Sequence, residues 1–197
     1  CKNKSNSIIF TSFEGGYIMR IYLRALEPED YIKTYEWRQD DSIENSLGGN
    51  RFFISKEREK QWVQFRSIDE SKGIYLAICL KENNEMIGYC SIINIDLRNL
   101  KADLGGTIIG DTNNRGKGYG KEAQILMLRH CFEELPLHKV CGYSLAEHKV
   151  TEKLMISLGF HIDGILRDEI YKNGEFKSYI IYSILRNEYE AIYNHNH

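Results

Sequence analysis

The sequence has little of several features that mark whole classes of protein. Its 26 Lys and Arg residues nearly balance 28 Asp and Glu residues, for a net charge of −2, so the basic surface of a nucleic-acid-binding protein is not expected. No apolar run approaches the roughly 18 residues that a membrane span needs. Only two prolines occur, and no repeat or low-complexity linker is visible. We therefore expect one globular domain with neither nucleic acid nor membrane as a partner.

Cysteine is scarce and follows no metal-binding pattern. The five cysteines, Cys1, Cys79, Cys90, Cys131 and Cys141, have no Cys-x-x-Cys spacing, and the terminal Asn-His-Asn-His offers too few ligands, so no metal site is expected. The number is odd, and the last four lie in apolar contexts. This pattern indicates buried, reduced thiols and a cytoplasmic location.

The first 18 residues fit no domain pattern. Codons for Glu14-Gly15-Gly16 can contain a bacterial ribosome-binding sequence, and Met19 follows after a suitable spacer. We therefore predict that residues 1–18 are a leader or an over-annotated N-terminal extension, with translation starting at Met19. Residues 19–197 are then a single domain.

Alternating polarity and turn residues predict a mixed architecture. Strands are expected near residues 19–24, 74–80, 86–95, 102–109, 140–145, 160–171 and 176–185, and helices near 28–38, 55–67, 117–134, 149–158 and the C-terminus. Residues 39–53 are expected to form a loop. Hairpins come first and helical crossovers follow, so we predict an α+β (mixed α/β) fold. Its central sheet is mixed but mostly antiparallel, has about seven strands and is flanked by helices.

A glycine-rich run joins a predicted strand to a predicted helix. Residues 115–120 read Arg-Gly-Lys-Gly-Tyr-Gly, and backbone N–H groups at such a junction favour a diphosphate. A Walker A loop requires four residues between its glycines, whereas five separate Gly110 from Gly116, and no hydroxyl residue follows Lys117. The dinucleotide pattern G-x-G-x-x-G also fails, because the glycines follow G-x-G-x-G. A third pattern, [QR]-x-x-G-x-[GA], fits.

Together with that pattern, ordered motifs make the chain resemble the GNAT superfamily of acyl-CoA-dependent N-acetyltransferases. Residues 102–105 resemble the family's fourth strand, residues 153–160 its later helix ending in Gly-Phe, and residues 164–176 its last hairpin. Residues 23–38 resemble the branch of ribosomal-protein N-terminal and spermidine acetyltransferases. The resemblance covers residues 21–189 and implies a GNAT-like sheet.

The resemblance implies acetyl-CoA as the co-substrate and assigns residues to it. The diphosphate is expected on the loop, and the pantetheine arm on the backbone of the fourth strand. His148 stands where relatives often carry an Asn that contacts CoA. The cofactor-binding residues are therefore expected to be Thr107, Ile108, Ile109, Arg115, Gly116, Lys117, Gly118, Tyr119, Gly120 and His148.

Amine acetylation requires a base for the ammonium proton and an acid for the leaving thiolate. Asp103 stands where the family often has a Glu, and is either that base or a surface carboxylate. The usual acid, a Tyr on the later helix, is replaced by Met155, which cannot donate a proton. His148, Tyr143 and Ser144 are the substitutes, and solvent is another proton source.

The acceptor is a primary amine: a protein N-terminus, a polyamine, or an amino sugar or antibiotic. Asp40, Asp41 and Glu44, near the first helix, offer negative charge to a cationic amine. Met155 also favours a non-catalytic acyl-CoA sensor, and an unrelated nucleotide-binding α/β protein is a third hypothesis. A homodimer is expected from the resemblance only.

Overall fold

One twisted sheet forms the framework of the computed structural model, which describes residues 7–8, 18–46, 53–68 and 73–193, with only the backbone of 7–8 and 44–46. The strands are β1 Ser7–Ile8, β2 Ile21–Ala25, β3 Gly73–Leu80, β4 Met86–Asp96, β5 Lys101–Leu104, β6 Ile108–Ile109, β7 Lys139–Leu145, β8 His161–Lys172 and β9 Glu175–Leu185. The helices are α1 Tyr31–Arg38, α2 Asp41–Ser46, α3 Lys56–Ile68, α4 Tyr119–Arg129, α5 Lys149–Ser157 and α6 Arg186–Tyr193, and a π-helical turn, His130–Glu134, continues α4.

The order of the strands confirms the predicted fold class. The sheet runs β1-β2-β3-β4-β5-β7-β9-β8, with β6 beside β4. The ladder between β5 and β7 is parallel, and the other ladders are antiparallel. Seven strands have four or more residues, as predicted, and β1 and β6 have two each.

Two hydrophobic clusters cover opposite faces of the sheet. The larger one packs α4, α5 and α6 against alternate residues of β2 to β5, β7 and β9. The smaller one packs α1, α2 and α3 against the other face of β3, β4 and β6. Because side chains alternate along a strand, a residue beside one that faces the larger cluster points toward the α1–α3 side. The alternation therefore determines which polar side chains lie together on the α1–α3 side of the sheet.

Two predicted boundaries were wrong. The expected single strand over 102–109 is broken into β5 and β6, because the register against β4 changes between them and the Gly105 amide donates to Ser91 O at 2.8 Å. Part of the expected loop at 39–53 is helical: α2 begins at Asp41, and Asp40 caps it. The rest of that loop, 47–52, lies outside the described residues.

The leader prediction stays a prediction. Ser7 and Ile8 pair with Arg24 and Leu23 of β2, and residues 1–6 and 9–17 lie outside the described residues. Cys79, Cys90, Cys131 and Cys141 are buried free thiols, as predicted, while Cys1 lies outside the described part. No helix among the described residues is long and apolar enough to span a membrane.

Candidate active site

The glycine-rich loop connects β6 to α4 through a short 3-10 turn at residues 112–114. Gly116 has φ +73° and Gly118, the N-cap of α4, has φ +89°, a region that glycine adopts without the Cβ clash of other residues. The amides of Gly116, Lys117 and Gly118 donate no hydrogen bond within the described part of the chain. The first-turn amides of Tyr119 and Gly120 are free of intrahelical partners by geometry. The loop therefore presents a row of free donors at a helix N-terminus.

An ion pair between a buried Glu122 and a half-exposed Arg20 supports the loop, and sequence reasoning missed it. Glu122, in the first turn of α4, has a side chain that is only 3% exposed. Its two carboxylate oxygens accept from the Arg20 backbone N–H at 2.8 Å and from Arg20 Nε at 2.7 Å. Arg20 Nη2 also donates to Lys117 O at 2.7 Å. The available signal was a Glu directly after the glycine loop, where the helix N-terminus favours negative charge.

The two loop cations have different surroundings. The Lys117 side chain is exposed and has no partner among the described residues. Arg115 instead directs its guanidinium away from the loop, to Asp40 Oδ2 at 2.7 Å and to Ile109 O at 3.0 Å. The structure therefore leaves Lys117, and not the Arg115 side chain, available to a phosphate.

The sheet opens beside the loop. β5 and β7 pair only from Lys101–Lys139 to Asp103–Cys141. Beyond that point β6 pairs with β4, and within the described residues no ladder joins it to β7. Thr107, Ile108 and Ile109 therefore line one edge of a gap whose other edge is the end of β7. Apart from Ile109 O, which accepts from Arg115 Nε, this edge offers backbone donors and acceptors to an extended ligand.

Two buried polar atoms near the gap have no hydrogen-bond partner within the described part of the chain. They are Thr107 Oγ1, next to β6, and Gln124 Oε1, one helical turn after Gly120 in α4. Helical side chains lean toward the helix N-terminus, so Gln124 leans toward the loop. A buried polar atom without a partner is costly, and a bound polar ligand removes that cost.

Asp103 and Tyr143 share the α1–α3 side of the sheet. Ala102, next to Asp103, and Val140, three residues before Tyr143, belong to the larger cluster on the other face. Asp103 lies in register with Cys141, which is two residues from Tyr143. Burial, and then the nearby Asp103 charge, raise the pKa of the Tyr143 phenol. Asp103 itself accepts from Asn94 Nδ2 at 2.8 Å.

His148 lies apart from that pair. It is the N-cap residue of α5, and its Nδ1 is 2.7 Å from Thr151 Oγ1. Within the described residues it has no hydrogen bond or ion pair with Asp103 or Tyr143. Met155, at the position of the usual Tyr, is buried and packs against Gly142 of β7. The structure therefore brings together Asp103 and Tyr143 but not His148.

A cleft of about 470 Å³ lies between α1 and the segment that leads into the loop. Its lining carries four carboxylates and one cation: Glu36, Asp40, Glu85, Asp111 and Lys33. Lys33 is paired with Glu85 at 3.0 Å. The cleft is therefore predominantly acidic. The side chain of Glu44 lies outside the described residues, and no three His, Cys, Asp or Glu side chains within them form a metal-binding group.

Comparison with known proteins agrees with this geometry. Residues 20–161 match the family described as an acetyltransferase (GNAT) domain. The uncharacterized N-acetyltransferase p20 of Bacillus licheniformis is 29% identical over 88% of this chain and 97% of its own. YdaF of Bacillus subtilis (strain 168), a candidate ribosomal N-acetyltransferase, is 30% identical over 87% of this chain and 94% of its own.

A solved structure supports the fold independently. The spermidine N-acetyltransferase from Vibrio cholerae, crystallised with CoA and spermine, superposes with a TM-score of 0.78. The match covers 86% of this chain and 98% of that one, at 22% identity.

Proposed function

The chain belongs to the GNAT acetyltransferase family, which makes it an N-acetyltransferase, and we propose that it transfers the acetyl group of acetyl-CoA directly to a primary amine in a ternary complex. One observation carries the proposal: a row of free loop amides continues into an open gap in the sheet. A diphosphate followed by an extended polar arm fits such a surface.

The residues around the loop and gap suit CoA. The amides of residues 116–120 hold the diphosphate, and Lys117 adds charge to it. The backbone of residues 107–109 pairs with the pantetheine arm. Thr107 Oγ1 and Gln124 Oε1, which have no partner among the described residues, provide further polar contacts. His148, at the start of α5, provides a further contact to CoA. Arg115 takes no direct part, because its side chain is hydrogen-bonded to Ser42 and Asp40 and its backbone N–H donates to Thr112 O.

Acetyl-CoA supplies an acetyl thioester, and we assign the two proton transfers to Asp103 and Tyr143. Asp103 accepts a proton from the ammonium group, directly or through water, so that the nitrogen lone pair can attack the thioester carbonyl. As the new C–N bond forms and the C–S bond breaks, Tyr143 protonates the departing sulfur, and its phenolate then takes the remaining proton from the acylated nitrogen to leave a neutral amide. A tyrosine is already protonated at neutral pH, and the raised pKa of Tyr143 leaves it so, so the phenol carries the proton that a donor requires.

The acceptor class follows from charge. The cleft beside α1 is predominantly acidic, which attracts cationic amines. One solved relative was crystallised with spermine, and one sequence relative is a candidate ribosomal N-acetyltransferase. We therefore propose polyamines and protein N-termini as the first acceptors to test. Both carry a primary ammonium group that must lose a proton before attack.

A thiol-release assay with acetyl-CoA tests this function. Spermidine, spermine, N-terminal peptides and amino sugars form the amine panel, and mass spectrometry identifies the acetylated product. We expect release that depends on one amine class and is lost in Asp103→Asn. Tight CoA binding without turnover on any amine would contradict the enzymatic proposal and favour an acyl-CoA sensor.

A further inference from the structure

Arg115 occupies the first position of the glycine-loop motif, yet its guanidinium points away from the loop. Four hydrogen bonds fix it: Nε to Ile109 O at 3.0 Å, Nη2 to Gly110 O at 2.9 Å, Nη1 to Ser42 Oγ at 2.7 Å, and Nη2 to Asp40 Oδ2 at 2.7 Å. Two of these partners belong to the strand that enters the loop. The other two belong to the junction between α1 and α2. One side chain therefore joins two segments that are 73 to 75 residues apart in sequence.

Arg115 reaches α2 in two ways: directly through Ser42 Oγ, and through Asp40, which caps the helix. Asp40 Oδ1 accepts from the Ser42 backbone N–H at 2.8 Å and from Ser42 Oγ at 2.6 Å, which caps the first turn of the helix. Hydrogen bonds from Ser42, and then from Arg115, lower the pKa of Asp40 to about 2. The carboxylate therefore stays charged at neutral pH, and the charge-assisted contact with Arg115 persists there.

A second contact joins the same two segments. The Trp37 ring of α1 packs against Gly110, where a Cβ would overlap it. Trp37 is also stacked with Tyr89 of β4, and the two ring centroids are 6.4 Å apart. The end of α1 is thus packed against the strand, whereas α2 is held to the loop entry by Arg115.

We infer that Arg115 is a positioning residue that couples the CoA loop to the first turn of α2 and to Asp40, which lines the acidic cleft beside α1. This inference rests on the proposed function, because it takes the loop as the diphosphate site and the acidic cleft as the acceptor side. A ligand that fixes the loop also fixes Arg115, and through Asp40 it fixes the first turn of α2. Linkage makes the effect reciprocal: CoA and acceptor each strengthen the binding of the other.

Hydrogen exchange at the backbone amides of residues 41–46 tests this coupling without a known acceptor. The variants are Arg115→Gln, Asp40→Asn and the double variant, each measured free and with saturating CoA, with CoA affinity measured by calorimetry. Lys117→Gln is the matched control, because it removes a loop cation outside the Arg115–Asp40 contact. Exchange elsewhere in the sheet reports whether each variant is folded.

In the free protein, each single variant should speed exchange of the α2 amides about tenfold, the effect of losing one charge-assisted hydrogen bond. The effect of the double variant should fall short of the sum of the two single effects, because the Arg115–Asp40 contact is lost in both. Saturating CoA should slow α2 exchange in the wild type and in Lys117→Gln but not in the three variants. Asp40→Asn should change CoA affinity less than about threefold.

Three results would overturn the inference. These are α2 exchange at the wild-type rate in Asp40→Asn, additive effects in the double variant, or a tenfold loss of CoA affinity in Arg115→Gln that Asp40→Asn lacks. The last would make the Arg115 side chain a phosphate ligand. A wild-type protein that binds no CoA would refute the proposed function instead, while exchange in the free proteins still tests the contact between Arg115 and Asp40.

Discussion

The proposed CoA side and the proposed acceptor side of this protein are built in different ways. The proposed CoA side is local: residues 116–120 supply the backbone donors, and Gly116 and Gly118 set their direction. The acceptor side is assembled from distant segments, since Asp103, Tyr143 and Asp40 come from β5, β7 and the α1–α2 junction. A site made of backbone tolerates variation in side chains, whereas a site made of side chains changes whenever one of them does.

Met155 illustrates the difference. The loop keeps the family's motif, while the usual Tyr donor on α5 is replaced by a buried Met that packs against Gly142. We assign its task to Tyr143, on the neighbouring strand. Chemistry can thus move between side chains while the cofactor loop stays the same.

A charge in the loop should produce the largest effect. Gly120 lies in the first turn of α4, where a Cβ would meet nothing closer than Ile109 Cγ1 at 4.0 Å, so Gly120→Asp should fold and be about 0.5 kcal/mol more stable at a helix N-terminus. The same charge repels a diphosphate, and CoA affinity should fall at least about 100-fold. Calorimetry with CoA measures the loss.

The matched control is Gly120→Ala, which the motif allows and which adds no charge. It should bind CoA within about threefold of the wild type, since only a methyl group is added. Equal CoA affinity in wild type and Gly120→Asp would place the diphosphate elsewhere.

Tyr143→Phe tests the acceptor side. Loss of the proton donor should lower kcat about 100-fold, in the range of general acid catalysis, and leave the KM for acetyl-CoA unchanged. Because the folded pKa of Tyr143 is raised, the wild-type phenol stays protonated until the pH exceeds its ordinary value near 10. Deprotonation of Tyr143 should therefore cause no loss of wild-type activity between pH 7 and 9. Steady-state kinetics of both proteins across that pH range test this prediction. An unchanged kcat in Tyr143→Phe would exclude this residue as the acid.

Gln124→Met should separate stability from CoA binding. Met has a similar shape and removes a buried oxygen that lacks a hydrogen-bond partner among the described residues, so the free energy of unfolding should rise by about 1 kcal/mol. CoA affinity should fall about fivefold if Gln124 contacts the cofactor, an effect of about 1 kcal/mol. Urea unfolding and calorimetry measure the two quantities. A stabilised variant with wild-type CoA affinity would remove Gln124 from the site.

The smallest effect concerns the thiols. Cys90 and Cys131 lie in the core under α4, and burial raises their pKa values. Cys141 lies beside Asp103 and is 8% exposed. We expect slow alkylation of Cys141 by iodoacetamide in the folded protein and none of Cys90 or Cys131. Peptide mapping identifies the modified thiols, and fast alkylation of Cys131 would show that α4 opens readily.

Sequence reasoning predicted the features set by local pattern. Hydrophobic periodicity and turn residues predicted the seven longer strands, and glycine spacing predicted the loop, because each depends on neighbouring residues. The break between β5 and β6 was missed, since it depends on the Gly105–Ser91 hydrogen bond across the ladder. The six-residue α2 was also missed, because a short helix has little intrinsic stability and its cap, Asp40, is held by Arg115.

The orientation of the Arg115 side chain could not be predicted from the sequence either, because it also depends on contacts with distant residues. Its motif position associates it with phosphate, but two of its partners, Ser42 and Asp40, lie more than 70 residues away. The pairing of Asp103 with Tyr143, in contrast, follows once the β5–β7 register is known. Sites built from side chains require that register before their members can be matched.

A crystal structure of the protein with bound CoA tests the central claim most directly. The diphosphate should contact the amides of residues 116–120, and the pantetheine arm should lie in the gap between β6 and β7, with the thiol nearer to Tyr143 than to His148. CoA bound on another surface, or β6 and β7 paired with each other when the cofactor is bound, would contradict the account.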